Sequence, residues 1–155
     1  MRLRLLLSAL LPLALAACGT TETITAVPIE STSFAPSLGV NLAGSTKTPS
    51  GLYIRDIKVG TGKTLASGDS VTVYYSGYLA NGTLFDQAQA PKTFAFKLGL
   101  GRVIRGWDEG VVGMKIGGQR QLVIPPALGY GASGIGPIPP DAVLVFTIDA
   151  VSTTP

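Results

Sequence analysis

The sequence predicts an α+β fold for residues 51–155, in which an antiparallel sheet packs against one short helix. Three observations lead to this prediction. Apolar residues alternate with other residues in five separate runs, as they do in half-buried strands. A single stretch places its apolar residues at helical spacing. Turn signals separate the runs, and one of them, Asn81-Gly82, is typical of a tight hairpin.

The alternation places five strands along the chain. The first is followed by the turns Gly60–Gly62 and Ser67–Asp69, and the second by Asn81-Gly82. In the third strand Phe94, Phe96 and Leu98 share one face. The predicted strands are Leu52–Ile57, Val71–Tyr78, Thr93–Leu98, Gln119–Ile124 and Val143–Val151.

The one helix is predicted between the third and fourth strands. Ile104, Trp107, Val111 and Met114 would form its apolar face, and Gly113 is available to end it. Trp107 is the only tryptophan of the chain. A large rigid ring of this kind can form the floor of an apolar pocket.

Residues 1–17 are predicted to be a signal peptide. Arg2 and Arg4 form a basic start, and the apolar stretch Leu5–Leu15 is shorter than the about 20 residues that span a bilayer. Leu15-Ala16-Ala17-Cys18 resembles the bacterial lipobox, so we expect Cys18 to be the lipidated first residue of a mature lipoprotein. An ordinary secretory signal cut near Ala17 is the alternative.

Residues 18–50 are predicted to be the lipidated cysteine followed by a flexible tether. The stretch is rich in Ser and Thr, contains three prolines and shows no sustained apolar period. As a flexible coil, residues 19–50 would span about 30 Å. The alternative is that the apolar patches Ile24–Ile29 and Phe34–Val40 pack on the domain.

Composition excludes several kinds of chemistry. The chain has no histidine and one cysteine, so a histidine-dependent triad, a structural zinc site and an intramolecular disulfide are ruled out. Its net charge of +3 falls to +1 once Arg2 and Arg4 are removed, with no basic cluster. We therefore expect no metal, no cofactor and no nucleic acid partner.

A set of short blocks, in a defined order, carries a more specific signal. They are Val73–Tyr78, Gly82–Asp86, Phe94–Gly99, Val103–Gly110, Leu128–Gly131 and Ile138–Pro140, followed by Leu144–Phe146. Together they resemble the FKBP-type peptidyl-prolyl cis/trans isomerases over nearly all of residues 51–151. The resemblance implies a curved antiparallel sheet wrapped around one short helix, with the substrate pocket between them.

The resemblance also implies a role for each pocket residue. Trp107 would be the floor, Asp86 and Tyr130 the polar rim, and Phe146 part of the wall; these four would act in catalysis. The backbone N–H of Ile104 and the Tyr130 hydroxyl would hold the peptide. The remaining walls would bind the substrate and are Tyr75, Phe85, Phe94, Val103, Ile104 and Ile138.

Two positions depart from the family pattern. The loop Gln87–Lys92 lacks the arginine that commonly joins Asp86 and Tyr75 in a network, so that network is incomplete or uses Lys92. The loop Ala132–Ile138 is about one residue shorter than usual and has no room for the chaperone domain that some members insert. Because this loop overhangs the pocket, substrate preference and binding of immunosuppressant macrolides are open.

The function predicted from these observations is rotation of Xaa-Pro bonds in proteins outside the cytoplasm. Its partners would be proline-containing unfolded or partly folded proteins, and the monomeric domain would be held on the cell envelope by its lipid. Since the reaction needs no proton transfer, Asp86 is interpreted as an orienting group rather than a general base. The alternative function is a proline-recognising binding module with weak isomerase activity. Clients, the preferred residue before proline and the membrane, inner or outer, are not predicted.

Overall fold

The computed structural model describes residues 28–154, so Cys18 and the predicted signal peptide lie outside the described part. These described residues form one seven-stranded sheet and a short α-helix. Every strand pairing is antiparallel, which confirms the predicted α+β class. The elements are β1 (Thr46–Lys47), β2 (Tyr53–Lys58), β3 (Ser70–Leu79), β4 (Leu84–Ala88), β5 (Phe94–Lys97), α1 (Arg105–Gly110), β6 (Gln119–Ile124) and β7 (Leu144–Thr154).

The long strand β3 organises the part of the sheet that carries the site. The strand order is β1-β2-β6-β7-β3-β4, and β5 also pairs with β3. β4 pairs with residues 75–78 of β3 and β5 with residues 70–73, so two consecutive strands share one edge of β3. β7 lies along the other edge over the whole length of β3. Side chains of β3, β4, β5 and β7 can therefore converge on one place.

Helix α1 lies close against β6. A Cβ atom added at Gly106 would come 2.6 Å from Ile124 Cγ2, and one at Gly110 would come 2.7 Å from Leu122 Cδ2. The two glycines thus allow an approach that any side chain would prevent. Trp107, Val111 and Met114 are buried, as their spacing predicts, although the helix itself ends at Gly110. The main core between helix and sheet contains Leu52, Leu65, Val71, Val73, Phe96, Leu98, Leu122, Ile124, Leu144 and Ile148.

The prediction of a flexible tether is wrong for residues 28–50. Residues 28–47, here called the N-terminal arm, cover the outer face of the sheet, opposite the main core. Ile29 is 4% exposed and packs in a second cluster with Tyr53, Val123, Val143 and Val145. Phe34, Leu38, Val40 and Leu42 are partly buried against the same cluster.

Polar contacts also join the arm to the sheet. Arg55 Nη2 donates to the Gly39 carbonyl at 2.8 Å, and Gln121 Nε2 donates to the Leu38 carbonyl at 2.8 Å. The Glu30 carboxylate accepts hydrogen bonds from Lys47 and from the Tyr53 hydroxyl. The apolar patches that have no period of their own are ordered because the sheet offers them an apolar face. Residues 18–27 of the predicted tether lie outside the described residues.

The described residues, 28–154, include no helix long and apolar enough to cross a bilayer.

Candidate functional site

A cavity of about 180 Å³ lies between α1 and the inner face of the sheet. Its lining comes from strands β3, β4, β5 and β7, from α1 with the loop before it, and from the segment after β6. Most of the lining is aromatic or aliphatic. The residues that line it are Tyr75, Asp86, Phe94, Arg102, Val103, Ile104, Trp107, Tyr130 and Phe146.

Trp107 lines the bottom of the cavity and is packed against rings that meet it edge to face. The ring centroids of Tyr75, Phe146 and Phe96 lie 5.0, 5.3 and 5.4 Å from its own, at angles of 87°, 87° and 60°. Each aromatic pair of this geometry stabilises the folded state by about 0.5–1.5 kcal/mol beyond the contribution of the apolar area that it buries. Trp107 is 3% exposed, and its indole N–H has no hydrogen-bond partner in the described part of the chain. The floor is therefore rigid and almost wholly apolar.

The aromatic wall depends on Gly77 in the middle of β3. Gly77 pairs with Asp86 on one side and with Phe146 on the other. A Cβ atom here would come 2.6 Å from Phe146 Cε1 and 2.9 Å from Phe85 Cζ. The absence of a side chain leaves room for these two rings, which pack edge to face at 5.5 Å. Sequence reasoning gave Gly77 no role, although the surrounding aromatic residues were a usable signal.

The polar groups of the site centre on Asp86. The buried Tyr75 hydroxyl donates to Asp86 Oδ2 at 2.6 Å. Burial and this hydrogen bond raise the pKa of Tyr75, and burial and the nearby Asp86 charge raise the pKa of Tyr130. Both phenols are thus neutral donors at physiological pH. Asp86 itself is exposed at the rim.

The loop after β4 lacks the arginine of the family pattern and is held in another way. Gln89 Nε2 donates to the Tyr75 carbonyl at 2.9 Å and to Ser76 Oγ at 3.0 Å. Between residues 28 and 154 no ion pair joins Lys92 to Asp86. Of the two sequence-based possibilities, the structure shows the incomplete network, in which Tyr75 is the side-chain partner of Asp86.

The loop between β5 and α1 is fixed from the helix. The Asp108 carboxylate accepts the backbone N–H of Gly99 at 2.8 Å and that of Gly101 at 2.7 Å. Ile104 follows this loop, and its N–H donates to no protein group of the described chain. That N–H is consequently available to a bound molecule.

Eight of the ten predicted pocket residues line the cavity, and Phe85 and Ile138 do not. Phe85 supports Phe146 from the side, and Ile138 is buried in the core. Arg102 lines the cavity but was not predicted. Its place directly before Val103 and Ile104 was the only sequence signal. Among residues 28–154 no cluster of potential metal ligands is found.

Comparison with known proteins gives one consistent result. Residues 61–151 match the family described as FKBP-type peptidyl-prolyl cis-trans isomerase. The "FK506-binding protein" of Neisseria meningitidis is 48% identical over 101 residues, which cover 64% of this chain and 93% of that protein. The crystal structure of FkpA from Escherichia coli superposes with a TM-score of 0.67 at 36% identity, covering 72% of this chain and 52% of that one.

Other relatives are much longer than this chain. The "FK506-binding protein 4" of Mycosarcoma maydis is 48% identical over 107 residues, which cover 69% of this chain but 28% of that protein. This chain thus spans about a quarter of the length of such relatives.

Proposed function

Because the chain belongs to the FKBP-type peptidyl-prolyl cis-trans isomerase family, we propose that it catalyses rotation about Xaa-Pro peptide bonds. The observation that carries the proposal is the aromatic cavity over Trp107, whose volume of about 180 Å³ suits a small apolar ring. A proline side chain is such a ring. The peptide would enter from the rim that carries Asp86 and Tyr130.

The chemistry of the cavity suits this reaction because no covalent bond is made or broken. Rotation about an amide meets a barrier of about 18–20 kcal/mol, which arises from partial double-bond character of the C–N bond. Water stabilises the charge-separated resonance form that gives the bond this character. Transfer of the amide to a site walled by Tyr75, Phe94 and Phe146 removes that stabilisation and favours the twisted state.

The polar groups hold the peptide while the bond turns. The Ile104 N–H is free to donate to a peptide carbonyl next to the proline. The Tyr130 hydroxyl offers a second donor, kept protonated by its raised pKa. Asp86 acts through its charge and through its hydrogen bond to Tyr75, not by proton transfer. These roles make Asp86, Tyr130, Trp107 and Phe146 the catalytic group.

The place of action is proposed from the sequence. The basic and apolar start of the chain and the Leu-Ala-Ala-Cys motif support export and lipidation at Cys18. The clients would then be proline-containing proteins that fold outside the cytoplasm, in the periplasm of a bacterium that has one. The names of the relatives also support binding of FK506-like macrolides in the same cavity.

The test is exchange NMR on a short Leu-Pro peptide with residues 19–155, which keep the N-terminal arm. Wild-type protein should accelerate cis/trans exchange catalytically. Asp86→Ala and Tyr130→Phe should reduce the rate at least several-fold. Tyr74→Phe is the matched control, because Tyr74 lies on the opposite face of β3 from Tyr75 and outside the cavity.

The outcomes separate two functions. Acceleration that falls in the two site variants and persists in the control establishes an isomerase acting in this cavity. Folded protein that binds the peptide without accelerating exchange would instead be a proline-recognising module. The missing arginine beside Asp86 is the observation that favours that second function.

A further inference from the structure

We infer that Arg102 makes the isomerase select proline segments with a carboxylate on a residue next to the proline. The inference rests on the proposed function, since it concerns the substrate of the same cavity. Arg102 lines the cavity at the rim, directly before the wall residues Val103 and Ile104. It is the one cation among the lining residues.

The backbone that carries Arg102 is held in place. Gly101, its neighbour, and Gly99 donate their N–H groups to the Asp108 carboxylate at 2.7 and 2.8 Å. Asp108 belongs to α1, the helix that also carries the floor residue Trp107. The position of Arg102 relative to the floor is therefore set by the helix rather than by a loose loop.

The guanidinium of Arg102 is exposed and is not used by the fold. Within residues 28–154 it makes no ion pair and no hydrogen bond. The buried Arg120, by contrast, donates twice to Asp56 and also to the carbonyls of Gly110 and Val112. Arg120 thus has a structural task, whereas Arg102 keeps its five donors for an external group.

The two charged side chains that line the cavity come from different elements of the fold. Asp86 comes from β4 and is occupied by the Tyr75 hydroxyl, while Arg102 comes from the loop before α1. No ion pair between the two is found in the described chain. A peptide bound in the cavity therefore meets one cation, Arg102, among the side chains that line it. A guanidinium pairs well with a carboxylate, so an acidic neighbour of the proline gains an interaction there.

The expected preference is moderate because the pair is exposed. Exposed ion pairs of this kind correspond to an about two- to fivefold change in an equilibrium or rate ratio. The experiment compares kcat/KM for Ala-Glu-Pro-Phe and Ala-Gln-Pro-Phe, and for a second pair with the Glu or Gln after the proline. In at least one of the two pairs, kcat/KM should be about two- to fivefold higher for the Glu peptide than for the Gln peptide. This ratio should fall between 20 and 500 mM salt, because salt screens the ion pair.

Three variants give the comparison its meaning. Arg102→Gln should abolish the Glu preference, measured as the ratio of kcat/KM for the Glu and Gln peptides of each pair. Arg102→Glu should favour a peptide with Lys at the same position over the Glu peptide. Arg105→Gln is the matched control, since Arg105 is an exposed arginine three residues along that does not line the cavity, and it should keep the wild-type ratio.

The outcomes distinguish this inference from the proposed function. Failure of wild-type protein to turn over either Gln peptide would overturn the isomerase itself. Turnover of the Gln peptides with equal rates for their Glu partners would overturn the role of Arg102 alone. A Glu preference that survives in Arg102→Gln, or that vanishes equally in Arg105→Gln, would also overturn it.

Discussion

Replacement of Gly77 by alanine tests how closely the aromatic wall is packed. The added Cβ would lie 2.6 Å from Phe146 Cε1 and 2.9 Å from Phe85 Cζ. Carbon atoms pack at about 3.5–4.0 Å, so the Phe146 ring would have to move by about 1 Å. Phe146 is 3% exposed and is enclosed by Phe85 and Trp107, which leaves it little freedom. Overpacking of this kind costs about 1–3 kcal/mol of unfolding free energy.

The cost is measured by urea and thermal unfolding, with isomerase activity as the second readout. For a domain of this size each kcal/mol lowers Tm by about 4 °C, so a fall of about 4–12 °C is expected. Activity should fall as well, because Phe146 lines the cavity. The double variant Gly77→Ala/Phe146→Leu removes the nearest clashing atom and should lose clearly less than the sum of the two single variants. Unchanged stability in Gly77→Ala, or strictly additive losses in the double variant, would refute the steric explanation.

Three further perturbations follow from the same contacts. The pKa of Tyr75 is raised in the folded chain above the value near 10.0 of a free phenol, so folded Tyr75 keeps its proton at pH values where unfolded Tyr75 loses it. The stability that this provides is fully present below about pH 10 and should decline at higher pH. Tyr75→Phe should flatten that decline in the unfolding free energy measured by urea titration. Hydrogen bonds from Lys47 and Tyr53 lower the pKa of Glu30 from 4.5 to about 2, so its contribution to arm docking should be present above pH 4.5 and be lost as pH falls toward 2. Amide protection factors of the arm, corrected for the intrinsic exchange rate at each pH, should fall over this range in the wild type and not in Glu30→Gln. Removal of residues 28–50 deletes Ile29, exposes its partners Tyr53, Val123 and Val145, and should lower the unfolding free energy by about 2–5 kcal/mol. Equal urea midpoints for the chains with and without residues 28–50 would contradict this.

The strands that could be predicted are those whose burial alternates. In β3 successive residues are partly buried and buried in turn, and the sequence shows the same period of two. β4 was missed because it is an edge strand with no buried residue, so that no apolar pattern marks it. β6 is buried on both faces, by the main core inside and by the arm outside.

The arm could not be predicted because its order depends on a distant surface. Ile29 and Phe34 show no period of their own, and their partners come from β2, β6 and β7. No local rule joins residues so far apart in the chain. The sequence could only offer packing on the domain as an alternative to a tether.

The pocket was predicted more completely in its apolar part than in its polar part. Aromatic residues such as Phe94 and Trp107 stand in recognisable blocks, and the structure brings them together. Arg102 is exposed and has no side-chain partner among residues 28–154, and residues of this kind follow no pattern that depends on burial. In this chain Gln89 holds the loop after β4 by hydrogen bonds to a backbone oxygen and a hydroxyl oxygen of β3, where the family pattern has an arginine. These contacts can be recognised only in the three-dimensional structure.

The docked arm changes how a lipid anchor would present the domain. With residues 28–47 on the sheet, only residues 19–27 remain between a lipidated Cys18 and the first docked residue. Even fully extended, those nine residues reach at most about 32 Å. Ile29, near the start of the described residues, packs on the outer face of the sheet, whereas the cavity lies beside α1 on the inner face. A molecule anchored in this way would stay close to the membrane, with its cavity facing away from the lipid and toward substrate proteins.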